Sequence, residues 1–77
     1  MSREAKIREI VMRYAKKGEV PDREDSLFEA GVLDSFALPD MVSAIEQEFG
    51  VTIPDSDLNP RKFDSIARID AYLAARL

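Results

Sequence analysis

The 77-residue sequence contains no cysteine, no histidine and no tryptophan. Without cysteine there can be no disulfide framework, no thiolate zinc site and no cysteine nucleophile. Without histidine the chain lacks the usual general base at neutral pH and the commonest metal ligand. A chain of this length buries only about 60% of its unfolded surface, which leaves no room for a deep substrate cleft beside a core. We therefore expect a single domain, residues 1–77, with no catalytic residues and no metal site.

The charge of the chain is small in total but unevenly distributed. There are 11 Lys and Arg residues against 15 Asp and Glu residues, a net charge of −4. Residues 1–17 carry +4, residues 18–60 carry −10 and residues 61–77 carry +2. The acidic middle segment argues against nucleic acid as a partner, because it repels phosphate backbones. The charge pattern alone leaves open whether this segment serves general surface solubility or docks basic protein surfaces.

No segment reads as a targeting signal or a membrane span. The chain opens on charged residues rather than an apolar run, which is unlike a signal peptide. Nothing approaches the roughly 18 uninterrupted apolar residues of a transmembrane helix. The expectation is a cytoplasmic, soluble protein that does not associate with a membrane.

Three stretches have the apolar spacing of amphipathic helices. They predict helices over residues 3–16, from 38 or 39 to 49, and over 65–76, with Ser2 and the Asp64-Ser65 pair as N-terminal caps. The predicted buried positions are Ile7, Ile10, Val11, Tyr14, Leu38, Met41, Val42, Ile45, Phe49, Ile66, Ile69, Leu73 and Leu77. Gly18 and Gly50 are predicted to end the first two helices.

The segments between these helices complete the predicted fold. Residues 18–34 are predicted to form a long ordered loop with a short turn at 26–30, pinned by Leu27, Phe28 and Leu33. One further helical turn is predicted within Asp55–Pro60, capped by Asp55 or Ser56, with Leu58 reaching the core. The fold class is therefore all-α, a small four-helix bundle with three long helices and one short helix.

The start of the second helix has two possible forms. Pro39 lacks an N–H and disfavours helical angles at the residue before it. Either the helix begins at 38–39 with Pro39 in its first position, or its first turn at 35–38 is irregular.

Two acidic patterns do not support metal binding or acid–base chemistry. Asp55-x-Asp57-x-Asn59 resembles the opening of an EF-hand loop, but Pro60 and Ile66 occupy the positions that need Gly and Glu. Glu46 and Glu48 lie two residues apart and do not share a helix face, so we interpret them as solvated charges. Without histidine no Ser-His-Asp triad is possible, and no spacing suggests lysine-assisted serine chemistry.

Ser35 is the remaining candidate, at the junction between the acidic loop and the second helix. One interpretation is a simple N-cap, for which Asp-Ser before a helix is typical. The other is an exposed hydroxyl facing unsatisfied helix N–H groups, a place that accommodates a phosphate. The residues alone leave both interpretations open.

Four segments in order resemble the acyl carrier protein family, including its aminoacyl and peptidyl carriers. Leu33-Asp34-Ser35-Phe36 is similar to the attachment motif of that family, and Leu27–Gly31 to the loop before it. Ile45–Pro54 is similar to the end of the second helix, and the run from Phe63 to Leu73 to the fourth helix. The resemblance covers nearly the whole chain.

This resemblance implies a cofactor and a function. Ser35 would receive 4′-phosphopantetheine from coenzyme A through a phosphopantetheinyl transferase, and Asp34 would help that enzyme to recognise the motif. The chain would carry an acyl or aminoacyl group as a thioester, without catalysing a reaction. The implied partners are a cargo-loading ligase or acyltransferase and downstream biosynthetic enzymes. The alternative is an unmodified helical interaction module with the same fold.

The resemblance also implies a partner-binding face on the second helix of a monomeric carrier. Its predicted members lie away from the core stripe: Phe36, Ala37, Asp40, Ser43, Ala44 and Gln47. For Phe36 a half-buried packing role is the alternative. Between Ser35 and Glu46 the only acid is Asp40, whereas carriers of fatty-acid synthesis are usually more acidic there. We therefore expect a free-standing carrier of a specialised pathway.

Overall fold

The computed structural model describes residues 2–16 and 22–77 of the chain. All regular secondary structure in these two segments is helical, as predicted for the all-α class. The α-helices are α1 (Arg3–Tyr14), α2 (Leu38–Phe49) and α3 (Ile66–Ala74). A three-residue 3-10 helix, Asp55–Asp57, lies where the sequence predicts the short fourth helix. Among the described residues no helix has the length and apolarity needed to cross a membrane.

Helix α1 begins as predicted and ends two residues earlier than predicted. The Ser2 hydroxyl caps the helix by accepting the N–H of Ala5 at 3.2 Å. The last helical residue is Tyr14, because the Lys16 N–H donates to the carbonyl of Val32 at 2.8 Å rather than continuing the helical pattern. The predicted stop at Gly18 lies outside the described residues.

Helix α2 combines the two forms predicted for its start. Residues 35–37 form a turn, the helix proper begins at Leu38, and Pro39 is its second residue. At the other end Gly50 adopts a left-handed conformation with φ of 65°, and its N–H donates to the Glu46 carbonyl at 2.9 Å. This is the predicted glycine stop, in the conformation that glycine adopts most easily.

Helix α3 starts at the predicted cap and is shorter at its end. The Ser65 hydroxyl accepts the N–H of Arg68 at 3.1 Å. Asp64 caps nothing here, and its carboxylate instead accepts a hydrogen bond from the Ser26 hydroxyl at 2.7 Å. The helix ends at Ala74, two residues before the predicted end, and the chain continues in a turn.

The core lies between the helices and the segments that connect them. Helix α1 packs against both α2 and α3. The fully or nearly fully buried apolar side chains are Ile7, Ile10, Val11, Leu27, Val32, Leu33, Leu38, Met41, Val42, Ile45, Ile53, Phe63, Ile66, Ile69 and Leu73. Connecting segments thus contribute five core residues besides those of the helices.

Three predicted core positions are wrong or only partly buried. Tyr14 and Phe49 are the last residues of their helices and are half-buried against the core. Leu77 lies three residues beyond the end of α3 and is 61% exposed. Each follows the helical spacing, but at a helix end there is less neighbouring structure to cover the side chain.

The described part of the connection between α1 and α2 is anchored to the start of α3. The Leu27 N–H donates to the Asp64 carbonyl, and the Arg23 carbonyl accepts the N–H of Ala67 at 2.7 Å. The predicted turn at 26–30 is present, with a hydrogen bond of 3.1 Å from the Ala30 N–H to the Ser26 carbonyl. Because residues 17–21 lie outside the described segments, the full long loop remains a prediction.

Glu46 is not the solvated charge that the spacing indicates, whereas Glu48 is exposed as predicted. The Glu46 carboxylate is half-buried and accepts the N–H of Ile53 at 2.8 Å, which fixes the segment after α2. Glu48 forms an ion pair of 2.7 Å with Lys6 of α1. Lys6 lowers the pKa of the Glu48 carboxyl below its ordinary value.

Asp57 holds the 3-10 helix against α3. Its carboxylate accepts hydrogen bonds from Lys62, from the Tyr72 hydroxyl at 2.6 Å and from Arg76 at 2.7 Å. The predicted capping by Asp55 or Ser56 is wrong, since no side chain caps this turn. Leu58 packs against the core, as predicted.

The ion pairs explain part of the charge pattern of the sequence. Lys6 and Lys16 from the basic N-terminal segment pair with Glu48 and Asp34 of the acidic middle segment. Asp57, also in that segment, pairs with cations from the basic C-terminal segment. A share of the acidic charge is therefore neutralised within the chain rather than offered to partners.

Candidate functional site

A left-handed turn presents the Asp34-Ser35 pair to solvent. Gly31 has a φ of 76°, a conformation that costs a residue with a side chain but not glycine. The turn lets the Leu27 carbonyl accept the N–H groups of both Val32 and Leu33 at 3.0 Å. Leu33 is then buried at 2% exposure, and the chain emerges at the pair directly after it.

Asp34, not Ser35, caps the turn that precedes α2. The Asp34 Oδ1 accepts the N–H of Ala37 at 3.0 Å, and the Asp34 carbonyl accepts the same N–H at 3.1 Å. The N-cap interpretation of Ser35 is therefore wrong. The Ser35 side chain is exposed and makes no hydrogen bond to another described residue.

Lys16 is a member of the site that the sequence analysis missed. Its Nζ lies 2.7 Å from the Asp34 Oδ2. The hydrogen bond from Lys16, together with the backbone N–H of Ala37, holds the pKa of the Asp34 carboxyl below its ordinary value. Lys16 and Asp34 are eighteen positions apart in the sequence, so no local pattern links them.

Ser35 lines an open groove of about 390 Å³. The other lining residues combine the Lys16–Asp34 ion pair with mainly apolar walls: Phe28, Gly31, Leu33 and Pro60. A smaller depression of about 190 Å³ adjoins it and shares Phe28 and Pro60. A larger depression of about 610 Å³ follows the outer face of α1 alone and contains none of the candidate residues, so we do not assign it as the site.

The predicted partner face of α2 is exposed in part. Phe36 is 88% exposed, which excludes the half-buried packing role. Asp40, Ser43 and Gln47 are also exposed. Two further predicted members of the face, Ala37 and Ala44, are half-buried and pack against the core.

The site can accept a group but is poorly built to activate its own hydroxyl. A general base needs a pKa near the working pH. Among the groove-lining residues that the structure describes, Asp34 is the one carboxylate, and its pKa is lowered rather than raised. The exposed hydroxyl of Ser35 is therefore suited to modification by another enzyme.

Fold and site together define a small helical protein with an accessible serine hydroxyl beside an open groove. The sequence profile of the family described as "Phosphopantetheine attachment site" matches residues 5–73 of the chain. The chain belongs to this family, and the cofactor that membership implies is covalently attached 4′-phosphopantetheine.

One curated relative has a more specific name. The chain is 44% identical over 41 residues to the "D-alanyl carrier protein" of Bacillus velezensis. The aligned segment is 53% of this chain and 50% of that protein, so the match spans half the length of the relative. No solved structure matches the chain significantly.

The residues at Ser35 fit the implied cofactor. Attachment requires an exposed hydroxyl, and Ser35 offers one without a hydrogen-bond partner among the described residues. The attached group carries a phosphodiester, and Lys16 provides a cation in the same groove.

Proposed function

We propose that the chain is a carrier protein and that Ser35 is the residue to which 4′-phosphopantetheine is attached. The observation that carries this proposal is the exposed Ser35 hydroxyl, free of partners among the described residues, within the segment matched by the family profile. When bound, the group supplies the thiol that this cysteine-free chain lacks and holds an acyl or aminoacyl cargo as a thioester.

In this proposal Asp34 acts by shaping the attachment site. Its carboxylate holds the turn at residues 35–37 through the Ala37 N–H and leaves the neighbouring hydroxyl free. It is also the residue by which a phosphopantetheinyl transferase recognises the motif. In this proposal the chain is the substrate of that transferase and a non-catalytic carrier.

An aminoacyl cargo is the version of this function that we favour. It is supported by the likeness to a D-alanyl carrier protein over half of each chain. The partners are then a cargo-loading ligase, or an acyltransferase if the cargo is an acyl group, and the enzymes that use the cargo. We infer a cytoplasmic protein in which the carrier domain spans residues 1–77.

The fold that we infer for this carrier is a monomeric four-helix bundle. In it the 3-10 turn at Asp55–Asp57 is the short helix, and the described part of the connection between α1 and α2 is held against the start of α3. The Arg23 carbonyl accepts the N–H of Ala67, and the Leu27 N–H donates to the Asp64 carbonyl, which supports this inference.

The surface offered to partners is the exposed side of α2 next to Ser35. Phe36 provides an apolar contact and Asp40 a charged one, joined by Ser43 and Gln47. Ala37 and Ala44 are half-buried, so each contributes only the part of its surface that the core does not cover. Contacts of this size are expected to be weak and short-lived, as a carrier that visits several enzymes requires.

The proposal is tested by the intact mass of the chain after incubation with coenzyme A and a broad-specificity transferase. The expected result is the gain of one phosphopantetheine, its loss in Ser35→Ala, and its retention in Ser56→Ala, a control that removes an exposed serine outside the proposed partner surface. No gain, or a gain that survives Ser35→Ala, overturns the proposal. The unmodified interaction module would then be the better account.

The cargo is tested separately on the modified chain. Incubation with ATP, D-alanine and an adenylating ligase for D-alanine should add one aminoacyl group to the modified chain and none to Ser35→Ala. A modified chain that accepts fatty acyl groups but not D-alanine would contradict the aminoacyl version and leave the attachment at Ser35 intact.

A further inference from the structure

Lys16 is tied at both its backbone and its side chain to the segment that presents Ser35. Its backbone N–H donates to the Val32 carbonyl at 2.8 Å, and its ammonium lies 2.7 Å from the Asp34 carboxylate. It lines the same groove as Ser35 and is the one cation among the described residues that line it. The side chain is 63% exposed, so the ammonium can move without breaking the backbone anchor.

Backbone donors at the start of α2 are fewer than a helix terminus ordinarily offers to an anion. An α-helix leaves its first N–H groups without intrahelical partners. Here the N–H of Ala37 is already bonded to Asp34, and Pro39 has none. Few backbone N–H groups are therefore left to bind a phosphate at the start of α2. A phosphate there depends more on a side-chain cation than it would at an ordinary helix N-terminus.

We propose that Lys16 is a positioning residue that holds the phosphodiester borne by Ser35. This rests on the proposed function, since it requires the group to be attached there. In the unmodified chain the ammonium neutralises Asp34. Attachment adds one negative charge at the next residue, and the three N–H donors of the ammonium can serve both anions.

Other described lysines do not serve this role. Lys6 pairs with Glu48 at the opposite end of α2, and Lys62 pairs with Asp57. Arg61 lines the adjoining depression together with two carboxylates, not the groove of Ser35. Removing the charge of Lys16 should therefore destabilise the attached phosphodiester more than removing the charge of these other residues.

The test compares Lys16→Met with Lys6→Met, each unmodified and modified. The two are matched, because each lysine forms a 2.7 Å ion pair with a carboxylate of almost equal exposure, 36% for Asp34 and 37% for Glu48. In low salt, modification should lower the unfolding temperature of Lys16→Met by a few degrees more than that of the wild type. Lys6→Met should show the wild-type change, and so should Lys16→Arg, which keeps the charge.

A second readout reports on the site itself. In an NMR titration, modification should raise the pKa of Asp34 more in Lys16→Met than in the wild type, because the added negative charge is no longer compensated. The difference between the variants should shrink in high salt, which screens exposed charges.

The outcomes separate this inference from the proposed function. The mass of each sample shows first whether the group is present. If the wild type is modified at Ser35 but Lys16→Met and Lys6→Met respond alike to modification, the role of Lys16 is refuted and the carrier function stands. If the wild type gains no group, the proposed function fails and this inference fails with it.

Discussion

Shortening Ile45 tests the packing that holds α2, and with it the site, in place. Ile45 has no exposed surface and is the last of the four buried residues of α2. Removing one methylene group in Ile45→Val should cost about 0.5–1.5 kcal/mol, and Ile45→Ala about 2–5 kcal/mol, because the cavity is only partly refilled.

These costs are large for a chain of 77 residues. At about 0.05–0.15 kcal/mol per residue, its total stability is about 4–12 kcal/mol. A loss of about 1 kcal/mol should lower the unfolding temperature by about 4–8 °C in a domain of this size. Ile45→Ala can therefore remove half of the stability or more.

Urea unfolding followed by circular dichroism measures these differences directly. Ile45→Val and Ile45→Ala should lower the midpoint in that order with an unchanged slope. Ser43→Ala, two residues earlier on the exposed side of α2, should stay within about 0.5 kcal/mol of the parent. If Ile45→Val and Ile45→Ala unfold like the Ser43→Ala control and the parent, the assignment of the buried face of α2 is refuted.

Three other predictions concern the turn, the ion pairs and the partner surface. Gly31→Ala should lower stability by about 1–2 kcal/mol in urea unfolding, because its φ of 76° is strained for alanine; unchanged stability would contradict the left-handed turn. The pKa values of the Asp34, Glu48 and Asp57 carboxyls are lowered by their lysine partners. Their contribution is therefore complete above the ordinary carboxyl pKa of about 4 and is lost as the pH falls through the lowered values. A thermal midpoint that fails to drop in acid, or rises there, would count against these pairs. Phe36→Ala should leave the midpoint unchanged, since the ring is 88% exposed, but should weaken binding to the loading ligase by calorimetry; equal binding would remove Phe36 from the partner surface.

The helices were predictable because each buries one regularly spaced stripe. The periodicity indicated α1, α2 and α3 within two residues at each end. The errors arise where non-local contacts decide. Lys16 leaves the helical pattern because its N–H donates to the carbonyl of Val32, sixteen positions later in the chain. The apolar spacing of residues 3–16 does not indicate this contact.

The site was predictable in part. The motif pointed to Ser35, and the exposure of its side chain agrees with the prediction that a phosphate-bearing group is attached there. It was not predicted that Asp34 caps the turn while Ser35 stays exposed. The spacing from Asp34 to Ala37 is typical of a side-chain cap and could have indicated this. Lys16 could not have been found, since its contact with Asp34 depends on how α1 packs beside the turn.

The acidic residues show most clearly what a linear charge pattern leaves out. Counting charges indicated a segment of −10 available for docking. Folding brings basic residues from both ends of the chain onto Asp34, Glu48 and Asp57, and turns Glu46 towards a backbone N–H. Among the predicted partner residues Asp40 is the one acid of that segment, and its side chain is exposed on α2.

The claim that Ser35 bears the cofactor is tested most directly by mapping the attached group to a residue. After modification, cleavage following Glu29 and Glu46 yields a peptide of residues 30–46, which contains Ser35 and Ser43. Fragment ions that separate the two serines should place the entire phosphopantetheine on Ser35. A group found on Ser43 or on a serine outside this peptide, or none found at all, would contradict the account.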